Sequence, residues 1–415
     1  MLPGATAVAF GRMTAAHPLV RAWIGAGSTG APNYDEFADD AEITAVIEAN
    51  PLSALAIEMP HKAPGMQGAT FADSLPQARA RLDEAQIGGA YEERENVVAA
   101  YRITAADGTV SRAVFAMVDT AEISTHAGEP GRVIRNEDVF IAKVRERVAL
   151  IEATQHLLSA VLLIQTERAD ELDTLLAQAC DDGGEPDVVD HDAAGRRHEV
   201  FVIGDEDLAQ RVCRLAGGGE LVVADGNHRS LAAQQAGLPR FLAVITTAPA
   251  LSLLPYHRLL AQWPEQMGDV ATALRGIGAQ VQELEGEFNT PQVSGTFHIY
   301  APGAGYAVTL PGAGVHDGTP LEVATMDHAL IEHFLIRDLL RWDPADPRIS
   351  YVGGDYSAAW LKQAVDEDRA ALAMAIAPVS VPDFVAVNVN RLAMPRKSTW
   401  FVPKARAGMV VARLR

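Results

Sequence analysis

Leu221-Val222-Val223-Ala224-Asp225-Gly226-Asn227-His228-Arg229-Ser230 is the stretch whose reading decides the fold. Its first four residues are a continuous apolar run, as a short buried strand requires. The Asp225-Gly226 step breaks that run, because glycine accepts backbone angles that other residues resist. Apolar residues then recur with helical spacing through Leu231, Ala232, Ala233 and Ala236, and Gly237 stands where a C′ residue belongs. Residues 241–245 form a second apolar run. The stretch predicts strand, polar elbow, helix and strand.

The elbow gathers a carboxylate, an amide, an imidazole and a guanidinium at a helix N-terminus, where free backbone N–H groups and the helix dipole favour an anion. Arg229 can clamp a phosphate at two points, and the N–H groups around Gly226 and Asn227 can cradle it. His228 can donate to a phosphate oxygen. Asp225 can hold Mg²⁺ or orient a hydroxyl. A helix cap accounts for the same residues, with Asp225 and Asn227 as capping side chains and Arg229 in a surface ion pair.

The 415 residues allow two or three domains. A formal net charge of -20 repels nucleic acid phosphates, so a nucleic acid partner is not expected. That charge leaves room for a local cationic pocket. Cys180 and Cys213 are far apart and form no metal-binding pattern, which argues against disulfide scaffolding and a cysteine-rich zinc site. No apolar run approaches the roughly 18 residues of a membrane span, and the N-terminus lacks a signal-peptide pattern. The expectation is a cytoplasmic protein with no membrane partner, and a homo-oligomer is compatible with the sequence.

Residues 1–20 read as loosely structured, with a first strand from Arg21. Residues 39–50 read as a helix closed by Asn50-Pro51, and residues 55–59 as a strand. A helix capped by Ser74 is expected over 74–87, and a hairpin over 97–103 and 110–118 with its turn at Asp107-Gly108. The longest helical pattern covers 141–158. Residues 159–164 turn strand-like, and 192–198 read as a hairpin tip. Beyond Pro249, short strands are expected near 281–284, 295–300 and 306–310, and a helix over 325–340. In that helix His328 and Glu332 lie one turn apart, as do His333 and Arg337; a solvated face explains them better than a metal site.

Asp225-Gly226-Asn227-His228-Arg229 resembles the DG-x-HR signature of the ParB/sulfiredoxin-like superfamily, whose members bind nucleotides at this elbow and include kinases of free serine. The longer string LVVADGNHRSLAA is similar to the DUF1015 family, whose usual form is DGHHR; Asn227 stands in place of the first histidine. Four other segments match in order. Ala31-Pro32-Asn33-Tyr34-Asp35 resembles APPYD. Gly131-Arg132-Val133-Ile134-Arg135-Asn136-Glu137-Asp138 resembles the I-R-x-HE segment, with Asn136 in place of histidine. Leu254-Pro255-Tyr256-His257-Arg258 resembles LP-x-HR. The stretch from Met394 to Lys404 resembles MP-x-KST-[YW]-F-x-PK.

The resemblance implies an α/β (α+β) fold, with a ParB/sulfiredoxin-like nucleotide-binding core in residues 1–248 and an additional C-terminal α/β domain in 249–415. It implies transfer of a phosphoryl group from ADP or ATP, with Mg²⁺, to the hydroxyl of free L-serine or a similar amino acid. On that reading Arg229, Gly226 and Asn227 hold the nucleotide. Asp225 binds metal, and Asp225, His228 and Glu137 do the proton chemistry, with Glu58 as a rival to Glu137 for the base. Lys397, Ser398 and Thr399 resemble a phosphate or carboxylate clamp; an edge strand packing Trp400 and Phe401 explains them equally well. Two other functions fit the same residues. One is a ParB-type nucleotide-binding regulator. The other is a catalytically degraded scaffold, marked by Asn136 and Asn227.

Overall fold

The elbow strand, Leu221–Asp225, sits inside a large curled sheet. The structure is a computed structural model that describes residues 14–66, 68–124, 129, 131–137, 139–312 and 320–414. The fold is mixed α/β. The main path of the sheet runs through Ile123–Ser124, Val133–Ile134, Leu221–Asp225, Val161–Gln165, Arg240–Thr247, Val110–Asp119, Tyr91–Thr104, Leu19–Gly25, Val410–Arg413 and His156–Leu157. The elbow strand pairs parallel with Val133–Ile134 and antiparallel with Val161–Gln165.

The apolar runs of the central strands are continuous because both faces are covered. Val222, Ala224, Leu162, Ile164, Leu242 and Val244 pack on one face with Val144, Ile151 and Phe384. Leu221, Val223, Val161, Leu163, Ala243 and Ile245 pack on the other, under the helices Ala169–Asp182 and Glu206–Ala216. Residues 256–375 contribute a separate six-stranded sheet.

The end of the chain then returns to the first sheet. Trp400–Val402 pairs with Ser252–Leu254, Ala407 bridges Ala31, and Val410–Arg413 pairs with both Leu19–Gly25 and His156–Leu157. The segment carrying Lys397 to Lys404 is thereby laid over the elbow.

Several local expectations are corrected. Residues 55–59 are not a strand: Ala54–Glu58 is a helix whose five residues are all buried, so no polar face marks its period. The helix expected to begin at Ser74 starts at Phe71. Thr70 caps it, and the Ser74 hydroxyl donates inside it to the Phe71 carbonyl at 2.7 Å. The 141–158 pattern breaks at Gln155, which takes a left-handed φ of 58°, and His156–Leu157 is a strand. Ordered strands begin before Arg21, at Ala16–His17 and Leu19–Gly25; residues 1–13 lie outside the described residues. The helix expected over 325–340 is split, and Ile331–Leu339 is wound as a π-helix. Its pairs accordingly fall five residues apart, Glu332 with Arg337 at 2.7 Å and His333 with Asp338 at 3.6 Å.

Gly408 marks the seam where the C-terminal strand is stitched to the N-terminal half. Its φ is +76°, and an added Cβ would fall 2.4 Å from the Ala54 Cβ and 2.6 Å from the Thr29 carbonyl oxygen. The Gly408→Ala variant is therefore expected to lose more than about 1 kcal/mol of stability, read as a lower denaturant midpoint; an unchanged midpoint would show that the seam can relax.

Candidate active site

Strand and helix meet at Gly226, whose φ is +98°. An added Cβ there would lie 3.1 Å from the Arg229 guanidinium carbon and 3.2 Å from Val161 Cα, so the close approach as well as the turn requires glycine. Neither Asp225 nor Asn227 caps the helix, since the capping position is Gly226 and no side chain serves it. The Asp225 carboxylate instead faces two cations. Oδ2 accepts from Arg229 Nη2, and Oδ1 accepts from Lys404 Nζ at 3.1 Å. Arg229 is 8% exposed, so this is a buried pair and not a surface one. Its Nη1 donates to the Ala160 carbonyl and, at 3.2 Å, to Asn33 Oδ1.

Around that pair stands a group of charges drawn from distant parts of the chain. Asp35, on the loop after the first long strand, has an enclosed Oδ1 without a partner. Burial would raise its carboxyl, but Arg229, Lys404 and Lys397 hold it well below the ordinary carboxylate range. Lys397 occupies a left-handed turn with φ 51°. Its backbone N–H donates to Glu137 Oε2 at 2.8 Å, and its ammonium lies 5.3 Å from the centre of the Tyr256 ring. Burial opposes the charge on Lys397, yet Tyr256, Glu137 and Asp35 push its pKa up. Lys404 is 8% exposed and lies 3.7 Å from the Trp400 ring centre. Burial raises the Glu137 carboxyl, with Lys397 acting against it.

His228 accepts from the Phe140 N–H through Nε2 at 3.0 Å and stacks on the Phe140 ring at 5.9 Å, which leaves Nδ1 to carry the proton. Burial, helped by Lys397, pushes its pKa down to about 3, so the ring is neutral at ordinary pH. Ser398 is fully buried with an unpartnered Oγ, and Thr399 is half-buried. His257 accepts from the Ile376 N–H at 3.2 Å, and Arg258 donates to three backbone carbonyls, so both serve packing.

The structure thus brings Glu137, Asp225, His228, Arg229 and Lys397 together. It adds Asp35 and Lys404, which reasoning from sequence passed over. Glu58 lies deeper, where its Oε1 accepts from the Ser159 hydroxyl. A cavity of about 1100 Å³ lined by Thr14, His17, Glu95 and Arg214 lies elsewhere and touches none of these groups. Among the described residues no three His, Cys, Asp or Glu side chains converge as a metal site. Both oxygens of Asp225, the residue expected to bind metal, are held by cations in this arrangement. No helix of the described residues is long and apolar enough to cross a membrane.

A family model described as a protein of unknown function, DUF1015, matches residues 21–329. The chain belongs to that family. No curated protein matches it. Among solved structures, a conserved hypothetical protein from Pyrococcus furiosus is 11% identical, with a TM-score of 0.37 over 72% of this chain and 95% of that one. A free serine kinase in complex with ADP is also 11% identical, with a TM-score of 0.38 over 72% and 92%. SbnI from Staphylococcus aureus is 10% identical, with a TM-score of 0.36 over 71% and 87%. At such TM-scores no residue of this chain is assigned to a residue of those.

Where the family's usual pattern has two histidines, this chain has two asparagines that hold each other. Asn227 Nδ2 donates to Asn136 Oδ1 at 2.5 Å, and the Asn136 N–H reaches Asn227 Oδ1 at 3.4 Å. Both residues are buried.

Two outcomes follow from this geometry. Asn227→Ala leaves two buried groups of Asn136 unpaired and should cost about 1–3 kcal/mol. A double-mutant cycle with Asn136→Ala should give a coupling of about 0.5–3 kcal/mol, and strict additivity would contradict the pair. His228, with a folded value of about 3 and an unfolded value of about 6.5, takes up a proton on unfolding between those limits. Its contribution to stability therefore falls as pH drops through that window and is constant above it. The His228→Gln variant should lose less stability than wild type on acidification, and an NMR titration should show a ring that stays neutral down to about pH 5.

Proposed function

We propose that this protein binds the phosphates of ADP or ATP beside the elbow and transfers a phosphoryl group to the hydroxyl of a small free amino acid such as L-serine. The observation that supports this most is the buried group of Arg229 and Lys404 on Asp225 and of Lys397 against Glu137, whose cations also hold Asp35 ionised, in a chain whose formal net charge is -20. These are the cations that can meet a polyanion there, beside the carboxylates of Asp35, Asp225 and Glu137. Phosphoryl transfer depends mainly on positioning and charge neutralisation, which lysine and arginine can supply.

The residues divide the work. Arg229 and Lys404 are already engaged by Asp225 and fix the frame. Lys397 forms no ion pair among the described residues, so its ammonium is a cation available to a terminal phosphate. Asp35, held ionised, can accept a hydrogen bond from the acceptor hydroxyl. Glu137, whose carboxyl is raised by burial, is the better proton acceptor, because a base works best when its pKa approaches the working pH. The hydroxyl oxygen then attacks the terminal phosphorus and its proton passes to Glu137. The bond from that phosphorus to the bridging oxygen breaks, and the charge left on the nucleotide is met by Lys397.

Incubation with L-serine and either nucleotide should yield phosphoserine. Glu137→Gln should lower kcat by about 10²–10⁴-fold with nucleotide affinity retained. Lys397→Ala should weaken nucleotide binding by about tenfold or more. No product from any hydroxylated amino acid with either nucleotide would remove the kinase reading; nucleotide binding without product would point to a binding protein instead.

A further inference from the structure

Asn33 meets three parts of the charged group and takes no part in the chemistry proposed for it. It is 3% exposed and opens a tight turn, closed by the Glu36 N–H on the Asn33 carbonyl at 3.0 Å. Tyr34 and Asp35 are the central residues of that turn, and asparagine suits its first place. The Glu36 carboxylate reaches back. Its Oε1 accepts from the Asn33 N–H at 2.7 Å and from Asn33 Nδ2 at 2.5 Å.

The same side chain reaches two distant segments. Its Oδ1 accepts from Arg229 Nη1 at 3.2 Å, and its Nδ2 also donates to the Ala405 carbonyl at 3.2 Å, beside Lys404. Only one setting of the amide satisfies these neighbours. Turned over, it would set N–H groups against a guanidinium and an oxygen against a carboxylate and a carbonyl. One amide therefore ties the turn carrying Asp35 to the elbow helix and to the C-terminal segment, through contacts that span 196 and 372 residues. In the APPYD string that residues 31–35 resemble, proline stands at this place. Proline has neither the N–H nor the amide for any of these bonds, so the tie belongs to this chain's own sequence.

We propose that Asn33 is the positioning residue of the phosphate site. It holds Arg229, Lys404 and Asp35 at a fixed spacing before the nucleotide arrives, so binding does not have to order them. The inference rests on the phosphate reading of the same site and adds to it a residue outside the proposed phosphate and proton contacts. Glu36 supplies a test by sign. It is near enough to Lys404 and Asp225 for both to act on its charge. A carboxylate there opposes a phosphate, so charge alone predicts tighter nucleotide binding once Glu36 is removed. Loss of the anchor that sets the Asn33 amide predicts weaker binding.

Calorimetry on the full chain with ADP and with pyrophosphate reads the effect. Asn33→Ala should weaken both about tenfold or more, with circular dichroism unchanged. Glu36→Ala should weaken both as well. Tighter binding in Glu36→Ala, or unchanged affinities in Asn33→Ala, would overturn the proposal. The loss from Asn33→Ala should shrink in an Arg229→Lys background and persist in full in a Lys397→Ala background. With L-serine as acceptor, Asn33→Ala should raise the KM for nucleotide while kcat at saturating nucleotide holds. A merely structural role would lower the folded fraction, and so kcat, with KM unchanged. Should Asn33→Ala fail to fold, Glu36→Ala decides by the sign of its effect. The two readings fail separately. Weaker nucleotide binding in Asn33→Ala, without phosphoserine from wild type, removes the kinase and keeps the positioning role. Phosphoserine from wild type, with an unchanged KM for nucleotide in Asn33→Ala, removes the role and keeps the kinase. A wild type that binds neither ligand overturns both.

Discussion

The Asp225 carboxylate, held between Arg229 and Lys404, is the interaction on which the rest of the site depends. One of its cations comes from the first turn of the helix that follows it and the other from 179 residues further along the chain. Removing either partner would leave charge buried and unmatched, a far larger loss than that of a surface ion pair. The pair also sets the position of the C-terminal segment. Lys404 can reach Asp225 only because Trp400–Val402 pairs with Ser252–Leu254 and Ala407 bridges Ala31. The same segment sets Lys397 against Glu137. One carboxylate thus couples the elbow to the last strand, and the last strand to the first.

What was legible in the sequence was local. The elbow could be read because its apolar runs and its Asp-Gly break are neighbours in sequence, and strand, turn, helix and strand stand as expected. Asp35 and Lys404 could not be read as site residues, because nothing near either one demands a partner. Arg229 meets Asn33 across 196 residues, and Glu137 meets Lys397 across 260. The signal that could have found them was the family pattern itself: Asp35 closes the APPYD-like segment and Lys404 closes the C-terminal one. The error at residues 55–59 has another origin. A five-residue helix buried on every side shows no amphipathic period, so an apolar run of that length reads as a strand. The i, i+4 spacing assumed for 325–340 failed because a π-helix aligns residues five apart.

The two asparagines bear on whether the elbow has kept its chemistry. A single histidine-to-asparagine change would leave a buried amide facing a ring. Two changes that meet each other make a closed contact that satisfies most of both side chains, and only Asn136 Nδ2 remains without a partner. The elbow is packed around paired amides, and charged members of the site, Glu137 and Arg229, stand within two residues of them in the chain. This speaks against a scaffold that decays at random positions.

His228 survives in a form that narrows its role. Its Nε2 is committed to the Phe140 N–H, so only Nδ1 can act outward, and only as a donor while the ring is neutral. A ring whose pKa is driven down by burial and by Lys397 has little tendency to take a second proton. It can stabilise charge by a hydrogen bond but is a poor proton shuttle. In the proposed reaction, proton acceptance then falls to a carboxyl shifted the opposite way. Glu137 is raised by burial and touches Lys397 through the backbone, whereas Asp35 is held too firmly ionised to accept a proton readily. Two carboxylates beside the same cations are thus pushed apart in acidity, which is the division the proposed reaction needs between orienting a hydroxyl and receiving its proton.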